Sequence, residues 1–223
     1  MSIAPLLDGT VCDLAEQIGE QGVSNLLKIV CDAYQELCGN HNIKQEMSED
    51  EITEELFKEV VLIWSKSSIT ETIRPINQKI DRTSAKPRGR PPTIDFCFRD
   101  KWVSEAFFGF ECKLLAEGDT RLYNEYIENG LYRYLRGTYS ARGSAGSLVG
   151  YVKLGNLATI VQDVKARVDN EKILKVMALA SSIGRFKEHY VSVHSREMAL
   201  PSFYVHHLFF SFASPSGAAP AQQ

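Results

Sequence analysis

Two apolar stretches interrupted by charge do most to limit what this chain can become. They are Thr93-Ile94-Asp95-Phe96-Cys97-Phe98 and Ala106-Phe107-Phe108-Gly109-Phe110-Glu111-Cys112-Lys113. Apolar runs of this length read as buried strands. In a strand, residues two apart share a face, so Glu111 and Lys113 project together while Cys112 turns to the other side. With Asp95 on the neighbouring strand, two carboxylates and an amine converge at a sheet edge. Hard carboxylate oxygens suit Mg²⁺ or Mn²⁺, and this set is the minimum equipment for holding such an ion and activating a water. The plainer alternative makes Asp95 a strand cap and Glu111 with Lys113 a surface ion pair.

Composition narrows the frame. A chain of 223 residues, 44% of them hydrophobic, has enough apolar material for one domain, or one domain with an extra lobe, so disorder throughout is excluded. A net charge of -3 gives no global pull toward nucleic acid, and any such binding must come from a local patch. Five cysteines without CxxC spacing point to a reducing, cytoplasmic setting. Neither an export signal at Met1–Thr10 nor a run long enough to span a bilayer is present, so no membrane partner is expected.

Taken in order, Val23, Leu26, Leu27, Val30, Tyr34 and Leu37 recur at helical spacing, with Ser24 or a neighbour as cap and Gly39-Asn40 as a stop. Residues 1–45 are expected to be a helical segment packed on a core domain spanning 46–213. Ser48 followed by Glu51 makes a capping box, and Ile52, Leu56, Val60, Ile63 and Trp64 form the buried stripe of a second helix. Its acids Glu49, Asp50, Glu51, Glu54, Glu55 and Glu59 suit a solvated face, from which one could still turn toward the metal site.

The segment 81–92 is basic and broken by proline and glycine, hence a loop that delivers charge beside Asp95. Its core, Pro87-Arg88-Gly89-Arg90-Pro91, is similar to an AT-hook; Arg88 and Arg90 either enter a minor groove or form a phosphate-contacting or solvated loop. After Lys113, a turn at Glu117-Gly118-Asp119 precedes a helical pattern carrying Arg121, Arg133 and Arg136 among Tyr123, Tyr126, Tyr132, Tyr134 and Tyr139. Such a mixture either clamps phosphates and stacks on bases, or packs its tyrosines inward and exposes its arginines. Gly137–Gly146 reads as a mobile loop and Ser147–Val152 as a buried strand. A helix over Asn156–Glu171 continues into an apolar piece at Ile173–Ala180, followed by strands at 187–195 and 202–213. Adjacent His206 and His207 must face opposite sides of the last strand and cannot share a metal. His194 and Arg196 are candidates for reaching a phosphate. Residues 214–223 have the composition of a disordered tail.

The order of these parts resembles the PD-(D/E)xK nuclease superfamily: Asp95 after Pro92-Thr93-Ile94, then Glu111-Cys112-Lys113 ending the next apolar strand, then a helix, with Ser48-Glu49-Asp50-Glu51-Ile52-Thr53 as the acidic start of a first core helix. Tyr126 to Gly137 and Gly150-Tyr151-Val152 resemble, more loosely, nucleases that accompany bacterial anti-phage systems. The resemblance implies an α/β, restriction-endonuclease-like mixed β-sheet flanked by helices. It also implies a Mg²⁺- or Mn²⁺-dependent endonuclease acting on DNA, with RNA left open. Asp95 and Glu111 would hold the metal, with the carbonyl of Cys112 as a further ligand, and Lys113 would position the attacking water. Glu49 is the best match for the upstream acid, with Glu51 and Glu55 open. Arg88, Arg90, Arg121, Arg133 and Arg136 would contact nucleic acid. A homodimer, or a complex with an ATPase or sensor subunit, is compatible with that role. The competing expectation is a catalytically silent, nuclease-like binding or assembly subunit.

Overall fold

The computed structural model describes residues 13–40, 43–80, 92–103, 105–197 and 200–212. The basic loop with Arg88 and Arg90, the tail 214–223 and Cys12 lie outside the described residues. The strands are β1 (Ile73–Ile80), β2 (Thr93–Asp100), β3 (Phe107–Ala116), β4 (Ala145–Leu154), β5 (Ile173–Leu179), β6 (His189–His194) and β7 (Phe203–Ser211). They form one seven-stranded mixed sheet in the order β1-β2-β3-β4-β7-β6-β5. β1, β2 and β3 make an antiparallel meander, β4 runs parallel to β3, and β7 runs parallel to β4. The apolar piece after Glu171, which follows a helix in sequence, is strand β5, antiparallel to β6.

Alternation along the strands explains why both faces are covered. Phe108, Phe110 and Cys112 of β3, with Val149 and Tyr151 of β4, pack into one core with α1 (Leu14–Gly39) and α2 (Glu49–Ser65). Phe107, Leu115, Leu148 and Val152 enter a second core on the opposite face. That core is closed by α3 (Thr120–Tyr126), a π-helical turn (Ile127–Leu131), α4 (Tyr132–Leu135) and α5 (Leu157–Val168). The first helix begins at Leu14 rather than near Val23, because Asp13 caps it by accepting from the Ala15 N–H at 2.9 Å. Gly19, at φ 65° and ψ -178°, interrupts the helical geometry and hides this extension from a periodicity count. The capping box of Ser48 and Glu51 is formed as its spacing requires.

Two readings of the C-terminal half are corrected. Residues 138–141 are buried rather than a mobile loop: the Arg196 guanidinium donates to the carbonyls of Ser140 (2.8 Å), Ala141 (2.9 Å) and Pro201 (3.0 Å). Arg196 is thereby spent on backbone oxygens, and His194 is fully buried, so neither is placed to meet a phosphate.

His206 and His207 do face opposite sides. His206 meets His189 (3.1 Å), while His207 enters a buried chain of side chains. The carbonyl of Glu171 can only accept, which fixes a proton on His194 Nδ1 and leaves its Nε2 to accept from Ser192. Ser192 then accepts from His207 Nε2–H, and His207 Nδ1 accepts from the Tyr126 hydroxyl at 2.9 Å. Every group is satisfied with both imidazoles neutral. Tyr126→Phe leaves His207 Nδ1 buried without its donor, with an expected cost of about 1–3 kcal/mol in urea denaturation. An unchanged midpoint would contradict the chain. Among the described residues, no helix is long and apolar enough to cross a membrane.

Candidate active site

The site arises where β2 and β3 part. Their last paired residues are Phe96 and Phe110, and beyond them the edge of β3 has no strand to bond. Ile94 crosses over Gly109 at this point, where a Cβ would stand only 2.7 Å from the Ile94 Cδ1. Backbone donors left by such a divergence need other acceptors. The Cys112 N–H donates to Asp95 Oδ2 (2.7 Å) and the Leu114 N–H to Glu49 Oε2 (2.9 Å). Two carboxylates, one from the departing strand β2 and one from the distant helix α2, thus replace the missing ladder. Glu49 is brought there as the first residue of α2, whose start is fixed by the capping box.

Glu111 and Lys113 project from β3 into the same space. The Lys113 ammonium lies 2.9 Å from Glu49 Oε1 and 3.0 Å from Glu111 Oε1, and donates to the Cys112 carbonyl at 2.6 Å. Arg133 approaches the same Glu111 oxygen at 3.1 Å and is itself held by the Tyr139 hydroxyl, which donates to the Thr93 carbonyl. Glu111 is 1% exposed, and its other oxygen, Oε2, is buried with no hydrogen-bond partner among the described residues. A buried, unpartnered carboxylate oxygen is costly and asks for a cation or a proton.

The electrostatics follow from this crowding. Burial, and then the charge of Asp95, push the Glu111 carboxyl up to about 7 against the pull of Lys113 and Arg133. Burial likewise raises Asp95, opposed by Lys113 and by the Cys112 N–H. For Lys113 burial alone would lower the pKa, but Glu111, Asp95 and Glu49 together outweigh it and hold the ammonium above its ordinary value. Lys113 is therefore a fixed positive charge rather than a free base. The Cys112 side chain faces the other core, where its sulfur accepts from the Tyr151 hydroxyl, so only its backbone N–H and carbonyl are turned to the site.

Beside the cluster opens a cleft of about 510 Å³, into which Glu49, Lys113, Arg121, Glu125, Asn129 and Arg133 contribute. A smaller pocket of about 140 Å³ reaches Asp95 from the side of Asp50, Asn77 and Gln78. Of the residues expected at the site, Asp95, Glu111, Lys113 and Glu49 are brought together, and Arg121 and Arg133 line the cleft. Glu51 is engaged in the cap and Glu55 pairs with Lys58. Arg136 stands apart, stacked on Tyr132 and near Glu128 and Glu197. Tyr123, Tyr126, Tyr134 and Tyr139 are buried, so these rings pack the core instead of offering stacking surfaces. Glu125 and Asn129 join the cleft as well, and their only signal in the sequence is a spacing of four and eight residues from Arg121.

Among the described residues, no three His, Cys, Asp or Glu side chains stand ready as a metal cage, because Lys113 occupies the space between Glu49 and Glu111. Asp95, the orphaned Glu111 oxygen and the Cys112 carbonyl nevertheless form a hard oxygen set suited to an ion that retains several waters. Comparison with protein-family models, curated proteins and solved structures returns no match.

Proposed function

We propose that this protein is a Mg²⁺- or Mn²⁺-dependent nuclease with a restriction-endonuclease-like core. The observation that carries this reading is the unpartnered, buried Glu111 oxygen beside Asp95 and Lys113 at a point where two strands separate. The element order supports it: an acid-led helix, three antiparallel strands, a helical excursion and a strand parallel to the third is the arrangement that the PD-(D/E)xK resemblance implies. The small net negative charge is no obstacle, since Lys113, Arg121 and Arg133 balance Glu49, Asp50 and Glu125 at the cleft and a bound divalent ion would tip that balance to positive.

Asp95, Glu111 and the Cys112 carbonyl would hold the ion, which supplies Lewis-acid stabilisation of the phosphoryl oxygens and an activated water. Lys113, kept protonated, orients the nucleophilic water and offsets charge developing on the phosphate. Glu49 fixes the Lys113 ammonium by its 2.9 Å contact, so its part is to position. Arg133 presents the exposed part of its guanidinium to the cleft while Glu111 and Tyr139 hold it in place.

Asp95→Asn retains an oxygen for the Cys112 N–H and should fold, yet cleave DNA at least about a hundredfold more slowly in Mg²⁺. Gel assays of plasmid and oligonucleotide cleavage read this directly, and wild-type rates in the variant would overturn the assignment. DNA is the substrate proposed first, with RNA as the second arm of the same assay. Action as an effector of bacterial anti-phage defence, alone, as a homodimer or with an ATPase or sensor subunit, rests on the resemblance and is part of the proposal.

A further inference from the structure

The cleft wall contains a π-helical turn, Ile127–Leu131, between α3 and α4. Arg121 and Arg133 are twelve residues apart. In uninterrupted α-helix that separation would carry one about 120° around the axis from the other, pointing them to different surroundings. The wider π-turn, closed by i→i+5 hydrogen bonds, takes back most of that rotation. As a result Arg121, Glu125, Asn129 and Arg133, each four from the next, stand in one file along the cleft. The opposite side keeps Tyr123, Ile127, Leu131 and Leu135 in the core.

The file has a chemical pattern. Its ends are cationic: Arg121 extends into solvent, with its side chain 75% exposed, and Arg133 adjoins the carboxylate cluster. Its middle is a bonded pair, with Asn129 Nδ2 donating to Glu125 Oε2 at 2.6 Å. Among the described residues, Glu125 Oε1 and Asn129 Oδ1 have no further hydrogen bond, and both residues line the cleft. Roughly sixteen to eighteen ångströms is the axial reach of such a file, enough for about two to three nucleotides of an unstacked strand extended to about twice the 3.4 Å stacked spacing.

We propose that this file is a single-strand track: Arg121 and Arg133 hold phosphates about two to three nucleotides apart, and the Glu125–Asn129 pair reads a hydrogen-bond donor on a nucleotide between them. The donor is an exocyclic amino group of a base or the 2′-hydroxyl of a ribose. This deepens the nuclease reading and rests on it. A carboxylate in a phosphate track repels the backbone unless it accepts a hydrogen bond, so Glu125 makes the track selective instead of merely adhesive.

The test is fluorescence anisotropy in Ca²⁺, with fluorescein-labelled DNA and RNA of identical sequence for the ribose arm and oligo(dA), oligo(dC) and oligo(dT) for the base arm. The full chain is used, with the wild type also assayed for cleavage in Mg²⁺. Arg121→Ala should weaken every strand about three- to tenfold and reduce the slope of log affinity against log salt by about 0.7. Glu125→Ala and Asn129→Ala should instead erase, by at least about fivefold, a preference that the wild type shows for RNA over DNA or for amino-bearing bases over thymine. An unchanged salt slope in Arg121→Ala overturns the track. So does Glu125→Ala binding all strands more tightly with the wild-type preference intact, since this is simple relief of repulsion. Cleavage by the wild type with variants indistinguishable from it removes the track and leaves the nuclease; no binding and no cleavage by the wild type removes both.

Discussion

Lys113→Met loses metal-dependent cleavage and also several kcal/mol of stability, and the second loss depends on pH. The side chain keeps its length but no longer places a cation 2.9 Å from Glu49 and 3.0 Å from Glu111. Removing one partner of a buried ion pair typically costs about 3–5 kcal/mol. Glu111 can escape part of that by taking a proton, since its carboxyl is already pushed up to about 7. The sign follows from linkage: between the ordinary glutamate value near 4.5 and about 7 the folded state binds more protons than the unfolded one, so this group's contribution falls as pH rises. Without Lys113 the window extends upward, and the variant should be weaker at pH 8 than at pH 6 relative to wild type. Mg²⁺ or Mn²⁺ should restore stability by supplying the missing charge, and adding Glu111→Gln should recover much of it without metal. Urea midpoints at both pH values measure this. A loss below about 1 kcal/mol, equal at both pH values, would contradict a buried cluster organised around Lys113.

The second large effect concerns acid. Burial lowers His206 to about 3 and His207 well below the ordinary imidazole value, with further lowering from neighbouring histidines. His189 and His194 are lowered too, again first by burial. Here the folded state binds fewer protons, so the contribution is complete above about 6.5 and is lost as pH falls toward the folded values. His206 and His207 alone contribute about 1.4 kcal/mol each per pH unit in that window. Glu111 acts in the opposite sense between about 4.5 and 7 and offsets about one of those protons. Asp95, also raised by burial, acts in the same sense as Glu111, while His189 and His194 add to the other imidazoles, and the net slope is a loss on the order of 1.4 kcal/mol per unit from pH 6 to 5. Guanidinium or urea titrations across this range should show it, and it should steepen by about one proton once a bound cation keeps Glu111 ionised. A flat profile would mean that the imidazoles are not held neutral in the interior.

The central residues were legible because their signals are local. An ExK at the end of an apolar run and an acid within the preceding one specify strands and faces by period alone, and Asp95, Glu111 and Lys113 do meet. The opposite orientation of His206 and His207 followed from the same rule. Glu49 was the best match for the upstream acid, but Glu51 and Glu55 stayed open, because carboxylates crowd the first two turns of one helix. Only the distance to Lys113, and the engagement of the other two with Ser48 and Lys58, separates them. Arg196 reads on paper as a phosphate ligand beside a histidine, yet two of the three carbonyls that consume it lie more than fifty residues away in sequence. The π-turn is equally silent, since Ile127–Leu131 carries an ordinary helical pattern and the extra width shows only in the backbone. What the turn achieves, the alignment of four polar side chains on the cleft, depends on three-dimensional phase.

The most direct measurement is a cleavage time course on plasmid DNA, single-stranded DNA and RNA with Mg²⁺ or Mn²⁺, with and without EDTA, for the wild type and for Asp95→Asn, Glu111→Gln and Lys113→Met. Cleavage of at least one substrate by the wild type, abolished by EDTA and reduced about a hundredfold or more in each folded variant, is the predicted result. Cleavage that persists in EDTA, or that all three variants retain in full, would contradict a metal-dependent site built from Asp95, Glu111 and Lys113.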